Sequence, residues 1–365
     1  MTSGSISLVL KVTHECNLEC SYCDYIHSLP KVDVKSNLSI NDLENILIKT
    51  AQSYKDISLI FHGGEPLILP ISYYENVIRI QHDITRNYNV IFSNSIQTNG
   101  TLLSQSIIDF LKSNNIHIGI SLDGPKNIHD KNRPFIKSNQ SSFDIIIKNI
   151  NILKNNGINV STLIVATKDV IKNPYGLYSF YKKNDLSFKI NELFPKYTMQ
   201  EFIPTNKELG SFYKKLFYIW INDKKEPILT IQPFVSIIIG LWEGNIGDCT
   251  YNSNCSSFFI IETDGAVNVC SRLIDKSYSL GNIIHQDWKE IHESELLKQL
   301  SKRKKMLPKD CNNCKWIELC YGGCPACVSD SAQDLYQKTI WCKSREMMFE
   351  AIHAKITSIK LEEEK

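Results

Sequence analysis

The placement of the twelve cysteines constrains this 365-residue chain more than any other feature of its sequence. Three lie at Cys16, Cys20 and Cys23, and the other nine lie beyond residue 248. The N-terminal residues lack the basic region and the long apolar core of a secretion signal, so we expect a cytoplasmic protein. In a reducing compartment, thiols hold metal more often than they form disulfides. The sequence therefore predicts metal sites, one of them near the N-terminus.

Charge and hydropathy exclude two classes of partner. The formal net charge is +2, which gives no global field that would attract nucleic acid or an anionic membrane. The longest apolar stretches, such as residues 234–242, are too short to span a bilayer. We therefore expect neither nucleic acid nor a membrane as a partner.

Residues 6 to about 195 alternate between strand and helix patterns. Alternating and β-branched apolar residues predict strands at 6–13, 57–62, 90–97, 116–123, 160–167 and 188–194. Helical spacing predicts helices at 39–54, 104–114, 142–156, 208–222 and 343–365, with Ser39 as an N-cap and Gly157 as a stop. Six β/α units in succession predict a parallel sheet, closed as an open or partial barrel.

The first cysteine group follows the first predicted strand with the spacing Cys-x3-Cys-x2-Cys. Three thiolates on one loop can ligate three irons of a [4Fe–4S] cluster and leave the fourth iron open to a ligand. An incomplete zinc site or a set of buried cysteines would be the alternative. This spacing resembles the hallmark of the radical S-adenosylmethionine (SAM) superfamily.

Further motifs strengthen the resemblance. The segments 62–66 (His-Gly-Gly-Glu-Pro), 97–100 and 121–125 each lie just past the C-terminal end of a predicted strand, where β/α barrels build active sites. By resemblance, Gly63 to Pro66 hold the amino group of SAM, Ser121 and Arg133 hold its ribose and carboxylate, and Tyr22 and Leu193 lie near its adenine. The cofactor-binding residues implied in this way are Tyr22, Gly63, Gly64, Glu65, Pro66, Ser121, Asp123, Arg133 and Leu193.

The C-terminal cysteines have the spacing of two four-thiol sites, which two zinc ions could also occupy. Their pattern resembles the SPASM domain of peptide-modifying radical SAM enzymes, and the likeness extends from Leu10 to about Met347. It implies two auxiliary [4Fe–4S] clusters, the first held by Cys249, Cys255, Cys270 and Cys324 and the second by Cys311, Cys314, Cys320 and Cys342. Cys327 has no counterpart in this scheme, and we expect it to be structural.

The resemblance also implies a domain organisation. The fold class is α/β, with a partial (β/α)6 radical SAM barrel in residues 1–196 and a bridging helical region in 197–248. A small cysteine-rich SPASM domain follows in 249–347, and a C-terminal helix and tail in 348–365. The implied cofactors are SAM and three [4Fe–4S] clusters, and the implied partners are a precursor peptide and a reductant such as flavodoxin or ferredoxin.

In the family, one electron from the first cluster splits SAM, and the resulting 5′-deoxyadenosyl radical takes a hydrogen atom from the substrate. Sulfatase maturases of this branch carry a carboxylate base directly after the cysteine that aligns with Cys270. Here that position is Ser271, which cannot replace an ionised carboxylate as a base at neutral pH. We therefore expect an oxidoreductase that matures a ribosomally made peptide (RiPP) by a side-chain crosslink, a carbon–carbon bond of the cyclophane type. Formylglycine formation and a thioether of the sactipeptide type are the alternatives.

The sequence offers candidates for a general base and for a peptide-docking surface, but it assigns neither. His62, Glu192 and Asp248 are candidate proton handlers, although each residue type is more often structural, so no catalytic residue is assigned. The first strand begins near residue 6, so we expect the peptide to dock on the enzyme proper. The basic run from Lys302 to Lys305, with Lys309, is one candidate surface, and a solvated helix end is the alternative.

Overall fold

The structure is a computed structural model that describes residues 4–23, 36–194, 198–244, 246–252, 255–256, 258–273, 278–328 and 335–363. The expected domain boundary at residue 196 and the last two residues of the expected tail lie outside these ranges. None of the helices within them combines the length and the apolar character needed to cross a bilayer.

The strands of the described residues form one sheet of ten, in the order β10-β9-β8-β1-β2-β3-β4-β5-β6-β7. From β8 to β7 every neighbouring pair is parallel, whereas β9 is antiparallel to both β8 and β10. The α/β class and the parallel barrel sheet that the sequence predicts are confirmed. The strands are β1 (Ser5–Thr13), β2 (Asp56–Gly63), β3 (Ile91–Thr98), β4 (His117–Ser121), β5 (Val160–Val165), β6 (Phe188–Asn191), β7 (Ile231–Gln232), β8 (Phe258–Ile261), β9 (Ala266–Asn268) and β10 (Ser279–Asn282).

Helices connect the parallel strands and begin where local sequence satisfies their free N–H groups. The side chain of Ser39 accepts a hydrogen bond from the N–H of Asp42, and Ser141 does the same for Asp144. Gly157, with φ at +74°, follows the end of its helix as expected. The helices of this part are α1 (Ile40–Ser53), α2 (Ile71–Tyr88), α3 (Gln105–Ser113), α4 (Lys126–Asn132), α5 (Ser142–Asn155), α6 (Lys168–Ile171) and α7 (Pro174–Lys183).

The remaining helices all follow β6 in the chain. Thr205 and Glu208 form a capping box that starts the first of them, which packs against the long terminal helix. These helices are α8 (Asn206–Asn222), α9 (Phe234–Glu243), α10 (Cys249–Asn252), α11 (Trp288–His292), α12 (Glu295–Lys302), α13 (Ile317–Cys320) and α14 (Cys342–Glu363).

The cysteine-rich segment extends the barrel sheet, an arrangement that the sequence does not indicate. Strand β8 pairs with β1 in parallel, with Leu10 opposite Ile261. The Lys49 ammonium of α1 donates to the carbonyls of Ile283, Ile284 and Gln286 at 2.8–2.9 Å. The first β/α unit of the barrel is therefore hydrogen-bonded directly to the C-terminal segment.

The strands are fixed by a continuous core. Leu8, Leu10 and Val12 of β1 are fully buried, and Leu59 and Phe61 of β2 are almost fully buried. Burial of each such side chain contributes about 1.5–3 kcal/mol. The core holds the carboxyl ends of the strands, and with them the loops that follow, in fixed relative positions.

Candidate active site

A pocket of about 280 Å³ lies at the C-terminal edge of the parallel strands. It brings together the loops that follow β1, β2, β3, β4 and β6, where the sequence motifs lie, and also the loop that follows β9. Six of the nine predicted cofactor-binding residues line it: Tyr22, Gly63, Gly64, Ser121, Arg133 and Leu193. Further lining residues are Lys11, Cys16, Leu18, Cys20, Cys23, His62, Gln97, Thr98, Asn99, Leu163, Val165, Asn191, Glu192, Phe194, Ser271 and Arg272.

The two pocket glycines are required by the close approach of the loops after β1 and β2. The N–H of Gly64 donates to the carbonyl of Thr13 at 2.8 Å. A Cβ at Gly63 would lie 2.2 Å from the Thr13 oxygen, and one at Gly64 would lie 2.2 Å from the Glu15 oxygen. Only glycine permits this approach, and it places the glycine backbone beside the first cysteine loop.

Glu65 is not among the residues that line the pocket, and its expected contact with SAM stays a prediction. Its carboxylate is buried and accepts hydrogen bonds from the N–H of Leu67 at 2.9 Å, and from the Thr98 hydroxyl and the Asn99 N–H at 2.6 Å each. It ties the loop after β2 to the loop after β3 instead of lining the pocket. Burial raises the pKa of Glu65, while these three donors oppose the rise. Pro66 is also buried, at the start of a 3₁₀ turn (Pro66–Ile68).

Asp123 is likewise buried behind the pocket wall, where it positions two residues that do line the pocket. The Nε of Arg133 lies 3.1 Å from its carboxylate, and the Tyr22 hydroxyl donates to the same group. Burial, the largest single effect, would raise the pKa of Asp123, but the Arg133 guanidinium, His129 and the hydrogen bonds from Tyr22 and Arg133 together outweigh it, and the pKa lies below its ordinary value. A further nitrogen of Arg133, Nη1, lies 3.9 Å from the Cys20 sulfur.

The three candidate proton handlers are poorly suited to act as bases. His62 lines the pocket, but burial lowers its pKa to about 4, and its Nδ1 already accepts the Gly63 N–H at 2.7 Å. Glu192 also lines the pocket, and Arg345 holds it at 2.6 Å. Asp248 lies 2.8 Å from Lys189, which lowers its pKa to about 2 against the effect of burial.

The cysteines group in space as the resemblance implies. Each group is a set of thiols close enough to perturb one another electrostatically: Cys16, Cys20 and Cys23; Cys249, Cys255, Cys270 and Cys324; and Cys311, Cys314, Cys320 and Cys342. Among the described residues no three metal-ligating side chains converge on a single-ion position. Cysteine thiolates are the ligands that hold [4Fe–4S] clusters, so the chemistry of these donor sets fits such clusters. The assignment of each thiol to a cluster stays a prediction.

Cys327 and Arg303 are both buried, and both form hydrogen bonds within the cysteine-rich segment. Cys327 is fully buried and donates its thiol hydrogen to Cys324, which lowers the pKa of Cys324. Arg303 is fully buried and donates to the carbonyls of Gly322, Gly323 and Gln337 at 2.8–3.2 Å. The basic run that the sequence offers as a docking surface is therefore interrupted by an arginine that braces the turn before Cys324.

Two arginines of the site were missed by sequence reasoning. The Arg272 guanidinium carbon lies 4.0 Å from the centre of the Phe194 ring, and both residues line the pocket. Arg345, on α14, pairs with Glu192 from the far end of the chain. The only available signal was the position of Arg272 directly after Ser271.

Comparisons with known proteins agree with this geometry. Residues 10–172 match the family model of the radical SAM superfamily, and residues 242–315 match that of the SPASM iron–sulfur cluster-binding domain. A cysteine-type anaerobic sulfatase-maturating enzyme of Clostridium novyi is 32% identical over 97% of both chains. A serine-type enzyme of Bacteroides thetaiotaomicron is 28% identical, covering 87% of this chain and 82% of its own.

Solved structures with bound SAM also have a fold similar to that of this chain. Native anSMEcpe with bound AdoMet superposes with a TM-score of 0.89 at 25% identity, covering 98% of this chain and 99% of its own. SuiB from Streptococcus suis, bound to S-adenosylmethionine, has a TM-score of 0.65 at 15% identity, over 91% of this chain and 76% of its own. At that identity the likeness to SuiB concerns the fold alone.

Proposed function

The chain belongs to the radical SAM enzymes that carry a SPASM domain, and from that premise we propose that it joins two side chains of a ribosomally made peptide through a carbon–carbon bond. As a member of this family it is a peptide maturase that uses SAM and [4Fe–4S] clusters, including auxiliary clusters. SAM and the clusters, when bound, supply the radical that removes a hydrogen atom from the substrate. The residues of this chain hold the cofactors and the peptide and exclude water.

The proposed cofactor contacts follow from the pocket. Cys16, Cys20 and Cys23 would hold the SAM-binding cluster, and the backbone at Gly63 and Gly64 would face the methionine part of SAM. Ser121 and Arg133 would bind its polar groups, with Tyr22 and Leu193 beside the adenine. Asp123 and Glu65 position these groups from behind the pocket wall.

The choice of a crosslink over formylglycine as the product depends on Ser271. It is exposed in the pocket, at the position where sulfatase maturases of this branch have a carboxylate. Formylglycine formation requires a base to take the proton of a thiol or hydroxyl, and such a base contributes roughly 10²–10⁴-fold. The lining acid Glu192 is neutralised by Arg345, and His62 is a weak base. A β-carbon radical can add to an aromatic ring with no prior deprotonation. The ring then loses the proton of the C–H bond at the joined carbon and one electron, which an auxiliary cluster would accept. Since the proton leaves only after the new bond has formed, the crosslink does not need a carboxylate that first deprotonates a thiol or hydroxyl.

Formylglycine formation remains the second candidate, because the similarity to a cysteine-type sulfatase-maturating enzyme spans 97% of the chain. A solved structure of anSMEcpe holds AdoMet and the Kp18Cys peptide. Both candidates therefore share a peptide substrate and differ in the chemistry that follows hydrogen abstraction.

The deciding experiment uses the reconstituted enzyme, SAM and a reductant with two synthetic substrates. One is a candidate precursor peptide from any short open reading frame next to the gene, and the other is a sulfatase peptide with its active-site cysteine. We expect the first to become two hydrogens lighter, to resist a hydrazine reagent and to lack fragment ions between the joined residues. A hydrazine adduct on a Ser or Cys of either peptide, with ordinary fragmentation, would contradict the crosslink.

A matched pair of variants tests the role of Ser271 itself. Ser271→Ala should keep the crosslinking rate within about threefold, because a group that is not a base contributes little to proton transfer. Ser271→Asp restores a carboxylate and serves as the comparison. A loss of about 100-fold in Ser271→Ala, with iron content and SAM binding intact, would make the serine a participant in the chemistry.

A further inference from the structure

Arg272 is a cation of the pocket wall that neither the cofactor contacts nor the proposed chemistry uses. Its backbone N–H donates to the Cys270 sulfur at 3.3 Å, which fixes the residue beside the pocket. Its guanidinium stacks on Phe194, with the guanidinium carbon 4.0 Å from the ring centre. Stacking holds the planar group flat and leaves its edge, where the N–H donors lie, available to a ligand.

The other charged side chains around the pocket are already paired. Arg345 lies 2.6 Å from Glu192, Arg133 lies 3.1 Å from Asp123, and Lys11 lies 2.9 Å from Glu262. In the part of the chain that the structure describes, no carboxylate lies within ion-pair distance of the Arg272 guanidinium. Arg272 therefore has no carboxylate partner among the described residues, and the groups that act on its charge are the thiols of Cys324, Cys327 and Cys270 and the Glu192 carboxylate.

A cation in a partly enclosed pocket is favourable only when an anion completes it. The fork of N–H donors on arginine matches the two oxygens of a carboxylate and can bind them through two parallel hydrogen bonds. Arg272 lies next to Ser271, in the wall that a substrate side chain must approach. A carboxylate of the substrate fits both the charge and the geometry of this position.

We propose that Arg272 binds a carboxylate of the substrate peptide, either an Asp or Glu side chain near the modified residue or the C-terminal carboxylate. The enzyme thereby selects acidic peptides. This inference rests on the proposed function only in requiring a peptide substrate, since it is the same whether a crosslink or a formylglycine is made.

The competing partner of Arg272 is an auxiliary cluster, because Cys270 and Cys324 are among the groups that act on its charge. In that case the arginine would affect the electronic properties of the cluster and would not distinguish one peptide from another. SAM itself also carries a carboxylate and is the other competitor for the same pocket. A binding experiment with defined peptides separates the three.

The probes are three short peptides measured against the reconstituted, SAM-loaded enzyme by anaerobic calorimetry or saturation-transfer NMR. They are acetyl-Gly-Asp-Gly-amide, acetyl-Gly-Asn-Gly-amide and acetyl-Gly-Asn-Gly with a free C-terminal carboxylate. We expect at least one carboxylate peptide to bind about tenfold more tightly than the neutral amide, as a hydrogen-bonded charge pair predicts. Which of the two gains affinity identifies the source of the carboxylate.

Three variants complete the test. Arg272→Gln should bind all three peptides equally, and Arg272→Lys should keep part of the preference, because it retains the charge and loses the fork. Arg86→Gln, at an exposed arginine of α2, is the matched control and should keep the whole preference. Iron content and SAM affinity like those of the wild type show that Arg272→Gln is folded.

The proposal is overturned if the wild type does not distinguish the peptides, or if the preference survives in Arg272→Gln. It is also overturned if Arg272→Gln weakens SAM binding, or shifts the potential of an auxiliary cluster, while the peptide preference stays unchanged. A preserved carboxylate preference in an enzyme that makes no crosslink would instead refute the proposed function alone.

Discussion

Among single residues, Glu65 is a motif residue whose side chain stabilises the pocket wall from inside and does not line the pocket. Its carboxylate satisfies the Thr98 hydroxyl and the Asn99 N–H inside the wall. We expect Glu65→Ala to lower the free energy of unfolding of the SAM-free protein by roughly 1.5–3 kcal/mol, because buried donors lose a charged acceptor. Urea denaturation measures this, with the exposed Glu75→Ala as the control. Unchanged SAM-free stability together with weaker SAM binding would instead show that Glu65 contacts SAM directly.

His129 gives the site a defined acid sensitivity. It is fully buried, its Nδ1 accepts the Asp123 N–H at 3.2 Å, and burial lowers its pKa from 6.5 to about 4. As the pH falls between these values, the unfolded chain binds a proton that the folded protein does not. Above pH 6.5 this histidine therefore does not reduce the free energy of unfolding. As the pH falls toward 4, it lowers that free energy by up to about 3 kcal/mol.

The measurement is the free energy of unfolding in urea across that pH range for the wild type and for His129→Asn. Asparagine cannot titrate and retains an acceptor for the Asp123 N–H. The variant should lose less stability on acidification than the wild type. Equal slopes for the two proteins would mean that the pKa of His129 is the same in the folded and the unfolded protein.

For single residues of the site, the sequence motifs predict which loop a residue lies in but not where its side chain points. Tyr22, Ser121 and Arg133 line the pocket as the resemblance implies. Glu65 and Asp123 do not, because a motif fixes the position of a residue in a loop and not the direction of its side chain. Arg272 was missed because its contact with Phe194 joins positions far apart in the chain.

At the scale of elements, α1 joins the barrel to the cysteine-rich segment. The Lys49 ammonium donates to three carbonyls of that segment, and the Trp288 indole donates to Thr50 at 3.0 Å. We expect Lys49→Met to lower the free energy of unfolding by about 1.5–3 kcal/mol, because three carbonyls lose a charged donor. Lys112→Met, at an exposed position of α3, should have almost no effect in the same urea titration. A Lys49→Met protein as stable as the wild type would show that water replaces the ammonium at no cost.

The sequence predicts the barrel elements well and the C-terminal strands poorly, for a physical reason. Strands β1 to β6 have alternating or β-branched apolar residues and regular spacing, and each lies within a few residues of its predicted bounds. Strand β8 has four residues, and β9 has three. Segments this short carry no measurable period, and nothing local indicates that the partner of β8 is β1.

For the whole molecule, the cysteine groups predict the metal content. Eleven thiols in three groups fit three four-iron clusters, so the anaerobically reconstituted protein should hold about twelve irons with equal sulfide. Replacement of Cys16, Cys20 and Cys23 together by Ala should remove about four irons and abolish SAM cleavage to 5′-deoxyadenosine. Iron and sulfide equivalent to a single cluster, accompanied by stoichiometric zinc, would contradict the two auxiliary clusters.

The parallel pairing of β1 with β8 also bears on how the chain folds while the ribosome is still making it. Strands β2 to β6 can each pair with a neighbour soon after they emerge from the ribosome. One edge of β1, however, stays unpaired until β8 is made, about 250 residues later. At 5–20 residues per second this is a delay on the order of tens of seconds. During that time the nascent chain presents an apolar strand with free backbone groups, the kind of edge on which other chains aggregate. We therefore expect soluble yield in cells to fall steeply when translation is cut short before β8, and to recover once residues 258–261 are included.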